Sequence, residues 1–344
     1  MKKGSKKLAA LFIAACFVGA TTIVPLQGVA EGCVGAKAEC VMELNSRRVL
    51  YEFRGDAPLP MASTTKIVTA ATVLDSGCDL HKELEIPEQA VGVEGSSVYL
   101  KTGDVYTVED LLYGLMLRSG NDCAVALALH CKGDMRKFAT DMNETAQKAG
   151  ALASNFVNPH GLPSRNHYTT ARDLSLITCY AMQSPVFCTI VSTRYYAPRA
   201  WKNKNKMLSL YTGAVGVKTG YTKEAGRCLV SAATREGMTL VCTVLGCPTT
   251  YERSIKLLDD AFSLYSLEKL VGAEEVFKLY DGKVQAKTAR DFYYPLIKEE
   301  KGLLKIQIKE TLKSVKKEKS GEIVGQIKIY LAKQLLFSEN LYKL

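Results

Sequence analysis

Two groups of strand-like residues enclose a long helical middle, and this order constrains the fold more than any other feature of the chain. Residues 38–54 predict an opening hairpin, because apolar runs flank the turn signal Asn45-Ser46. Between residues 214 and 245, three strand-like runs follow one another, and the turn Glu236-Gly237 separates the last two. These runs predict an antiparallel meander. Strands that bracket helices and then meet predict an α+β sandwich, with helices on a mostly antiparallel sheet.

The middle of the chain has the apolar periodicity of amphipathic helices. Residues 64–75 place apolar side chains on one stripe. Thr107 followed by Asp110 predicts a helix start, and Thr170 is a candidate cap. The other segments with a helical pattern are 121–132, 134–149, 170–182 and a helix after the meander that contains Ile255, Leu258, Phe262 and Tyr265.

The last part of the chain has a different texture. After about Val271, short alternating runs are separated by glycine and charged turns, which predicts a small all-β domain. We therefore expect three parts: a signal peptide at 1–30, a main domain at 31–271 and a small β-rich C-terminal domain at 272–344.

The first thirty residues have the pattern of a secretory signal. Four lysines precede an apolar run from Leu8 to about Ala20, and Gly28-Val29-Ala30 offers small residues for cleavage. An uncleaved anchor, or lipoprotein cleavage at Cys16, fits the sequence less well. We expect an exported, extracytoplasmic protein at the cell wall or the outer face of the cytoplasmic membrane.

Charge is distributed unevenly along the chain. The formal net charge is +10, and residues 281–344 contain 14 Lys or Arg against 8 Asp or Glu. This excess predicts peripheral association with an anionic membrane or wall surface, or simply a solvated face. No combination of basic and aromatic residues indicates a nucleic-acid partner.

Cysteine and histidine usage argues against a metal site. Ten cysteines follow the predicted signal, but no C-x-x-C occurs, and several cysteines lie inside apolar runs. Mostly buried free thiols are expected, with Cys33 and Cys40 as the candidate disulfide. The four histidines are scattered, and no metal-ligand spacing appears.

Three short motifs gain meaning only from their order. Ser-x-x-Lys occurs at Ser63, Ser266 and Ser314, Ser-x-Asn at Ser119, Ser164 and Ser338, and Lys-Thr-Gly at Lys101 and Lys218. Only Ser63 precedes a Ser-x-Asn that itself precedes a Lys-Thr-Gly. Ser119 follows an apolar helical run, whereas Ser164 lies in a polar loop. We therefore select Ser63-Thr64-Thr65-Lys66, Ser119-Gly120-Asn121 and Lys218-Thr219-Gly220.

With these motifs in this order, the chain resembles the penicillin-recognising serine enzymes. Its surroundings are most similar to the D-alanyl-D-alanine carboxypeptidases, the low-molecular-weight penicillin-binding proteins. The matching sequence segments run from P-M-A-S-T-T-K through L-M-L-R-S-G-N-D, N-P-H-G-L-P and T-A-R-D-L to G-V-K-T-G-Y-T. The resemblance implies a β-lactamase/transpeptidase-like domain with a helical subdomain, followed by the family's β-rich C-terminal domain.

The first motif supplies a nucleophile and a base. A serine hydroxyl needs a nearby base, and positions i and i+3 share a helix face, so Lys66 lies one turn beyond Ser63. Lysine acts as a base only when neutral. Burial lowers its pKa, and a second cation, for which Lys218 is the candidate, lowers it further.

The family resemblance implies the remaining roles. Ser119 would relay a proton to the leaving amine, and Asn121 would hold the substrate amide carbonyl. Lys218 and Thr219 would bind the terminal carboxylate, while Gly220 would let a peptide lie along the strand edge. The backbone N–H groups of Ser63 and Tyr221 would form the oxyanion hole.

The implied reaction removes the terminal D-alanine from peptidoglycan stem pentapeptides through an acyl-enzyme on Ser63. No metal or organic cofactor is required, and β-lactam antibiotics would be covalent inhibitors. One alternative is a class A-like β-lactamase, which needs an extra glutamate between the second and third motifs, where only Glu144 occurs. The other is a catalytically inactive wall-binding module, which the complete motifs argue against.

Overall fold

The computed structural model describes residues 35–311 and 319–344. The predicted signal peptide at 1–30, Cys33 and the Ser314/Lys317 copy of the first motif lie outside these ranges. Within the described ranges no single helix is long and apolar enough to cross a membrane. One pair of helices, Ala171–Ala181 and Pro185–Ser192, passes that test by length and composition alone, with a bend of 110° between the two helices.

The predicted hairpin and meander form one five-stranded antiparallel sheet. Its strand order is β2-β1-β9-β8-β7, so the hairpin pairs with the last strand of the meander, and Ala38 lies opposite Leu245. The strands up to the end of the meander are β1 (Ala38–Glu43), β2 (Val49–Phe53), β3 (Glu83–Glu85), β4 (Val105–Thr107), β5 (Tyr195–Tyr196), β6 (Trp201–Lys202), β7 (Ala214–Thr222), β8 (Gly226–Arg235) and β9 (Met238–Leu245).

Helices cover both faces of this sheet, which confirms the α+β sandwich. In the described residues the α-helices are α1 (Lys66–Asp75), α2 (Val108–Tyr113), α3 (Asn121–Lys132), α4 (Met135–Ala149), α5 (Ala171–Ala181), α6 (Pro185–Ser192), α7 (Met207–Leu210) and α8 (Thr250–Leu264). One core lies between the sheet and α1 to α6, and a second core lies between the opposite face and α8. All six residues of β1 are buried because both faces of this strand are covered.

The predicted helix starts are confirmed by their caps. Thr107 and Asp110 form a reciprocal capping box at α2, and the Thr170 hydroxyl accepts from the N–H of Asp173 at α5. Two details differ from the predicted boundaries. The 64–75 segment begins as a 3₁₀ turn (Ala62–Thr65), with α1 starting at Lys66, and the helix after Thr107 widens into a π-type turn at Gly114–Arg118.

The C-terminal part is built from β-strands, as predicted, around its own apolar core. Its strands in the described residues are β10 (Ser266–Val271), β11 (Phe277–Leu279), β12 (Val284–Lys287), β13 (Phe292–Leu296), β14 (Leu304–Glu310), β15 (Ile323–Leu331) and β16 (Gln334–Lys343). The main sheet of this part has the order β11-β12-β16-β15-β14. Strand β10 pairs with β13 across the predicted boundary at 271, and the boundary itself stays a prediction.

A largely buried arginine connects the first hairpin to the C-terminal part. Arg48, between β1 and β2, donates to the carbonyl of Pro295 at 2.6 Å and forms an ion pair with Glu300. Its guanidinium also lies over the rings of Tyr265 and Tyr294, 5.1 and 5.2 Å from their centroids. Because both charged side chains are almost fully buried, either partner alone would be left as an uncompensated charge.

Candidate active site

Ser63 lies on the 3₁₀ turn that leads into α1, at the boundary between the helices and the sheet. The two threonines after it stabilise the turn through their hydroxyls. Thr64 donates to the Met61 carbonyl at 2.7 Å, and Thr65 donates to the Ala62 carbonyl at 2.9 Å. Ala62 has a left-handed φ of +51°, an unfavourable conformation that the surrounding contacts maintain. The turn therefore presents a partly exposed serine from a rigid support.

Lys66 is fully buried, and three oxygen atoms lie within hydrogen-bonding distance of its amine. Its Nζ lies 3.1 Å from Ser63 Oγ, 2.6 Å from Asn121 Oδ1 and 2.7 Å from the His160 carbonyl oxygen. The first and second motifs are therefore brought together around one amine. The predicted contact between the hydroxyl and the amine three residues later is present.

The electrostatics favour a neutral amine at Lys66. Burial lowers the pKa of Lys66 well below its ordinary value of 10.5, and the positive charge of Lys218 lowers it further. Burial, followed by the positive charge of Lys204, also lowers the pKa of Lys218 to about 7. Below that pH, Lys218 is the second positive charge near Lys66 that the sequence predicted.

Ser119 lies at the break between the π-type turn and α3. Its backbone is left-handed, with φ +63° and ψ +33°, and the residue is 5 % exposed. A non-glycine residue in this conformation is uncommon, and such residues are concentrated at functional sites. The predicted position between two apolar helical segments is confirmed, and the proton-relay role stays a prediction.

Asn121 uses both ends of its amide within the protein. Its Oδ1 accepts from Lys66, and its Nδ2 donates to the Glu94 carbonyl at 2.5 Å. An amide nitrogen carries two N–H groups, so one remains for a substrate carbonyl, the role implied by the resemblance. The structure adds a second role that the sequence did not predict, because Asn121 also positions the base.

Asp122 holds the loop that follows Glu94, whose carbonyl accepts from Asn121. This carboxylate is 1 % exposed and accepts from Ser97 Oγ at 2.5 Å and from the backbone N–H groups of Val98 and Leu100 at 3.0 and 3.2 Å. Hydrogen bonds to a carboxylate are stronger than those between neutral groups. Asp122 thereby fixes the loop whose carbonyls receive Asn121.

The third motif lies on β7, which is the edge strand of the five-stranded sheet. Lys218 is 1 % exposed, and Tyr221 is 66 % exposed at the rim. A Cβ atom on Gly220 would lie 3.1 Å from the backbone nitrogen of Ser63, tighter than ordinary contact. The glycine therefore allows β7 to approach the Ser63 turn, in addition to the predicted role of leaving space for a peptide.

The loop that contains His160 and Gly161 completes the support of the serine turn. Gly161 has φ +90°, and a Cβ atom there would lie 2.1 Å from the Ala62 carbonyl oxygen. Sequence reasoning gave this loop no role. The only signal was the N-P-H-G-L-P text within the family resemblance, which carries no helical or strand period.

His167 stabilises the turn from the other side. Its Nδ1 accepts from the Val157 N–H at 3.1 Å, so the Nε2–H donates to Thr65 Oγ1 at 2.8 Å. Burial, followed by the charge of Lys66, lowers the pKa of His167 to about 4, which keeps the ring neutral. Sequence reasoning missed this contact because Thr65 and His167 are 102 positions apart.

The other copies of the motifs lie elsewhere. Ser266 donates to Glu268 on β10, and Lys269 forms an ion pair with Asp291. Ser164 and Lys101 are both exposed. The structure therefore brings together the three copies that order and context selected. The copies at Ser266, Ser164 and Lys101 lie apart from this group.

Eight cysteines of the described part of the chain are free thiols, and five of these are buried: Cys40, Cys123, Cys179, Cys228 and Cys242. Cys40 is one of the buried free thiols, whereas its predicted partner lies outside the described residues. Among the described side chains, no cluster of three or more His, Cys, Asp or Glu could hold a metal ion.

The fold and the site define a class. A serine on a turn before a buried helix, a buried lysine one turn later and a Lys-Thr-Gly edge strand beside both are the features of penicillin-recognising serine enzymes. A family model described as D-alanyl-D-alanine carboxypeptidase matches residues 27–249, and one described as penicillin-binding protein 5, C-terminal domain, matches residues 260–344. The chain belongs to the D-alanyl-D-alanine carboxypeptidase family, and it is a serine peptidase of peptidoglycan metabolism.

Individual relatives agree with this assignment. The chain is 31 % identical to D-alanyl-D-alanine carboxypeptidase DacF of Bacillus subtilis, over 82 % of this chain and 75 % of the relative. It is 34 % identical to a D-alanyl-D-alanine carboxypeptidase of Streptomyces sp. strain K15, over 73 % and 94 %. The solved structure of penicillin binding protein 5 from Haemophilus influenzae superposes with a TM-score of 0.76 at 28 % identity, covering 92 % of this chain and 98 % of that one.

Proposed function

We propose that Ser63 is the nucleophile with which this carboxypeptidase removes the terminal D-alanine from peptidoglycan stem pentapeptides. The observation that carries the proposal is the 3.1 Å contact between Lys66 Nζ and Ser63 Oγ, made by an amine whose pKa is lowered well below its ordinary value. A neutral amine at this distance can accept the hydroxyl proton as the serine attacks.

Acylation begins with attack by Ser63 and ends with loss of the terminal D-alanine. Ser63 Oγ attacks the carbonyl of the penultimate D-alanine while Lys66 takes its proton. The backbone N–H groups of Ser63 and Tyr221 stabilise the developing oxyanion, and each such donor contributes roughly 3 kcal/mol. A proton returned through Ser119 leaves with the terminal D-alanine, and water then hydrolyses the acyl-enzyme.

Substrate recognition depends on the edge strand. Lys218 and Thr219 bind the terminal carboxylate, and Asn121 donates its second N–H to the amide carbonyl of the peptide. The free edge of β7 offers backbone groups along which an extended peptide can pair. A β-lactam presents the same carboxylate and carbonyl, so it acylates Ser63 in place of the peptide.

A class A-like β-lactamase fits this arrangement less well. That activity requires a glutamate near the acyl-enzyme, and Glu144 lies exposed on α4. Slow release of penicilloyl from Ser63 is expected, whereas rapid penicillin turnover would favour the lactamase.

Mass spectrometry of the penicillin-treated protein tests the nucleophile directly. We expect one adduct, on the peptide that contains Ser63, together with D-alanine release from a peptide ending in D-Ala-D-Ala. Ser266 heads another Ser-x-x-Lys copy and serves as the internal control, where no adduct is expected. Labelling of Ser266, or an unlabelled protein that releases no D-alanine, would refute the proposal.

The charge of Lys218 predicts a pH dependence. Because burial lowers the pKa of Lys218 to about 7, the free enzyme loses this cation as the pH rises above that value. We expect kcat/KM for a peptide with a terminal carboxylate to fall by about tenfold per pH unit at alkaline pH.

Two matched measurements isolate this effect. A peptide ester of the same sequence lacks the carboxylate, so its alkaline decline should be absent. Lys218→Arg keeps a positive charge throughout this range, so its profile with the carboxylate peptide should stay level. A decline of equal steepness in all three profiles would contradict the assignment.

We further propose that the enzyme acts outside the cytoplasm and associates peripherally with the membrane or wall. The signal-like residues at the start of the chain and the basic composition of residues 281–344 support this proposal. An attraction between charges weakens as salt rises. The protein should fractionate with envelopes at low salt and be released at high salt; a freely soluble protein at both would contradict peripheral association.

A further inference from the structure

Two half-buried thiols face each other on the side of the helical region away from the sheet edge that carries Lys218. The Sγ atoms of Cys78 and Cys131 are 3.6 Å apart, and both residues are free cysteines. Cys78 follows the end of α1 at Asp75, and Cys131 is the penultimate residue of α3. Ser76 Oγ lies 2.9 Å from Cys78 Sγ, so the turn after α1 is held close to this pair.

We propose that Cys78 and Cys131 form a disulfide that joins the C-terminal ends of α1 and α3. A disulfide needs its sulfurs about 2.0 Å apart, and rotation of two half-buried side chains can close the present gap. This inference does not depend on the proposed function, because it concerns neither the substrate nor the nucleophile.

The position of the pair explains what the bond would do. Helix α1 begins at Lys66 and α3 begins at Asn121, and these two residues are joined by a 2.6 Å hydrogen bond. A disulfide at the other ends would connect the same two helices a second time. The helices that carry the base and its amide partner would then be fixed at both ends, which restricts their relative motion.

The chemistry requires an oxidant, which is a disulfide-bearing protein or oxidised glutathione. Burial, followed by the proximity of Cys78, raises the pKa of the Cys131 thiol to about 12, which makes this thiol a weak first nucleophile. The Cys78 thiolate attacks one sulfur of the oxidant and releases the first thiol. Cys131 then loses its proton and attacks Cys78 Sγ, and the second thiol leaves. One disulfide is thereby reduced for each disulfide formed.

Cys188 is the matched control within the chain. It is also half-buried, but its thiol contacts the Met182 carbonyl oxygen at 3.2 Å. The same oxidant therefore meets a thiol of similar exposure, and Cys188 is expected to stay reduced under conditions that join Cys78 to Cys131.

Differential alkylation of the purified chain tests bond formation. The protein is equilibrated in glutathione buffers of increasing oxidised fraction, blocked with a light alkylating reagent, reduced, and blocked again with a heavy one. We expect Cys78 and Cys131 to take the heavy reagent together, and an unreduced digest to contain their linked peptide. Light labelling of both residues in the most oxidising buffer, or glutathione that stays bound to either one at equilibrium without a linked peptide, would overturn the proposal.

Thermal unfolding tests the connection between the helices. Oxidation should raise the Tm of the wild-type protein by about 5 °C or more, because the bond closes a loop between positions 53 apart. The rise should disappear in Cys78→Ser and Cys131→Ser and persist in Cys188→Ser. A linked peptide without any rise in Tm would overturn the connecting role.

Discussion

Replacement of Lys66 by methionine is expected to lower the rate of Ser63 acylation by about 10³-fold or more. Within residues 35–311 and 319–344, the Lys66 amine is the group that is hydrogen-bonded to Ser63 Oγ and placed to take its proton, and general-base catalysis contributes about 10²–10⁴-fold. Methionine has a similar length and packs well in hydrophobic cores, so the helix that follows Ser63 should keep its packing. The rate is measured with a chromogenic penicillin and with D-alanine release from the peptide.

The stability of this variant should change much less than its activity. Asn121 Oδ1 and the His160 carbonyl lose their common donor, which costs about 1–3 kcal/mol per unsatisfied group, while the burial cost of the amine disappears. Lys132→Met is the control, because that lysine forms a surface ion pair with Asp141 between α3 and α4. Activity in Lys66→Met equal to that of Lys132→Met would exclude Lys66 as the base.

Gly161→Ala is expected to damage both stability and catalysis. A Cβ atom at this position would lie 2.1 Å from the Ala62 carbonyl oxygen, a backbone atom that cannot rotate away. Overpacking and a left-handed φ together cost about 3 kcal/mol or more. Because Ala62 precedes Ser63, the relaxation that relieves the clash displaces the nucleophile, and a shift of about 1 Å can cost about 10²-fold in rate.

Gly150→Ala separates the steric effect from the conformational one. Gly150 has nearly the same φ, +87° against +90°, but a Cβ atom there meets nothing within 4 Å. This variant should lose only about 1 kcal/mol and keep full activity. Chemical denaturation and the acylation rate, measured on both variants, test the difference. Equal losses in the two variants would mean that the contact with Ala62 does not support the site.

The local parts of this fold follow from periodicity. The hairpin, the meander and the helix starts at Thr107 and Thr170 were predicted, because each depends on residues within one or two turns of each other. The contact between Ser63 and Lys66 belongs to the same group, because a spacing of three residues in a helical segment places both side chains on one face. The order of the three motifs selected copies that the structure brings into one cleft.

Contacts between distant segments required the tertiary structure. Three contacts join segments that are far apart in the sequence: the approach of Gly220 to the Ser63 nitrogen, the hydrogen bond from the Lys66 amine to the His160 carbonyl, and the proximity of Cys78 to Cys131. Sequence alone predicted which residues carry the chemistry and on which elements they lie. Only the packing of α1 and α3 beside the edge of β7 decided which backbone atoms surround the Lys66 amine. The pKa of this amine was decided in the same way, because burial and neighbouring charge depend on that packing.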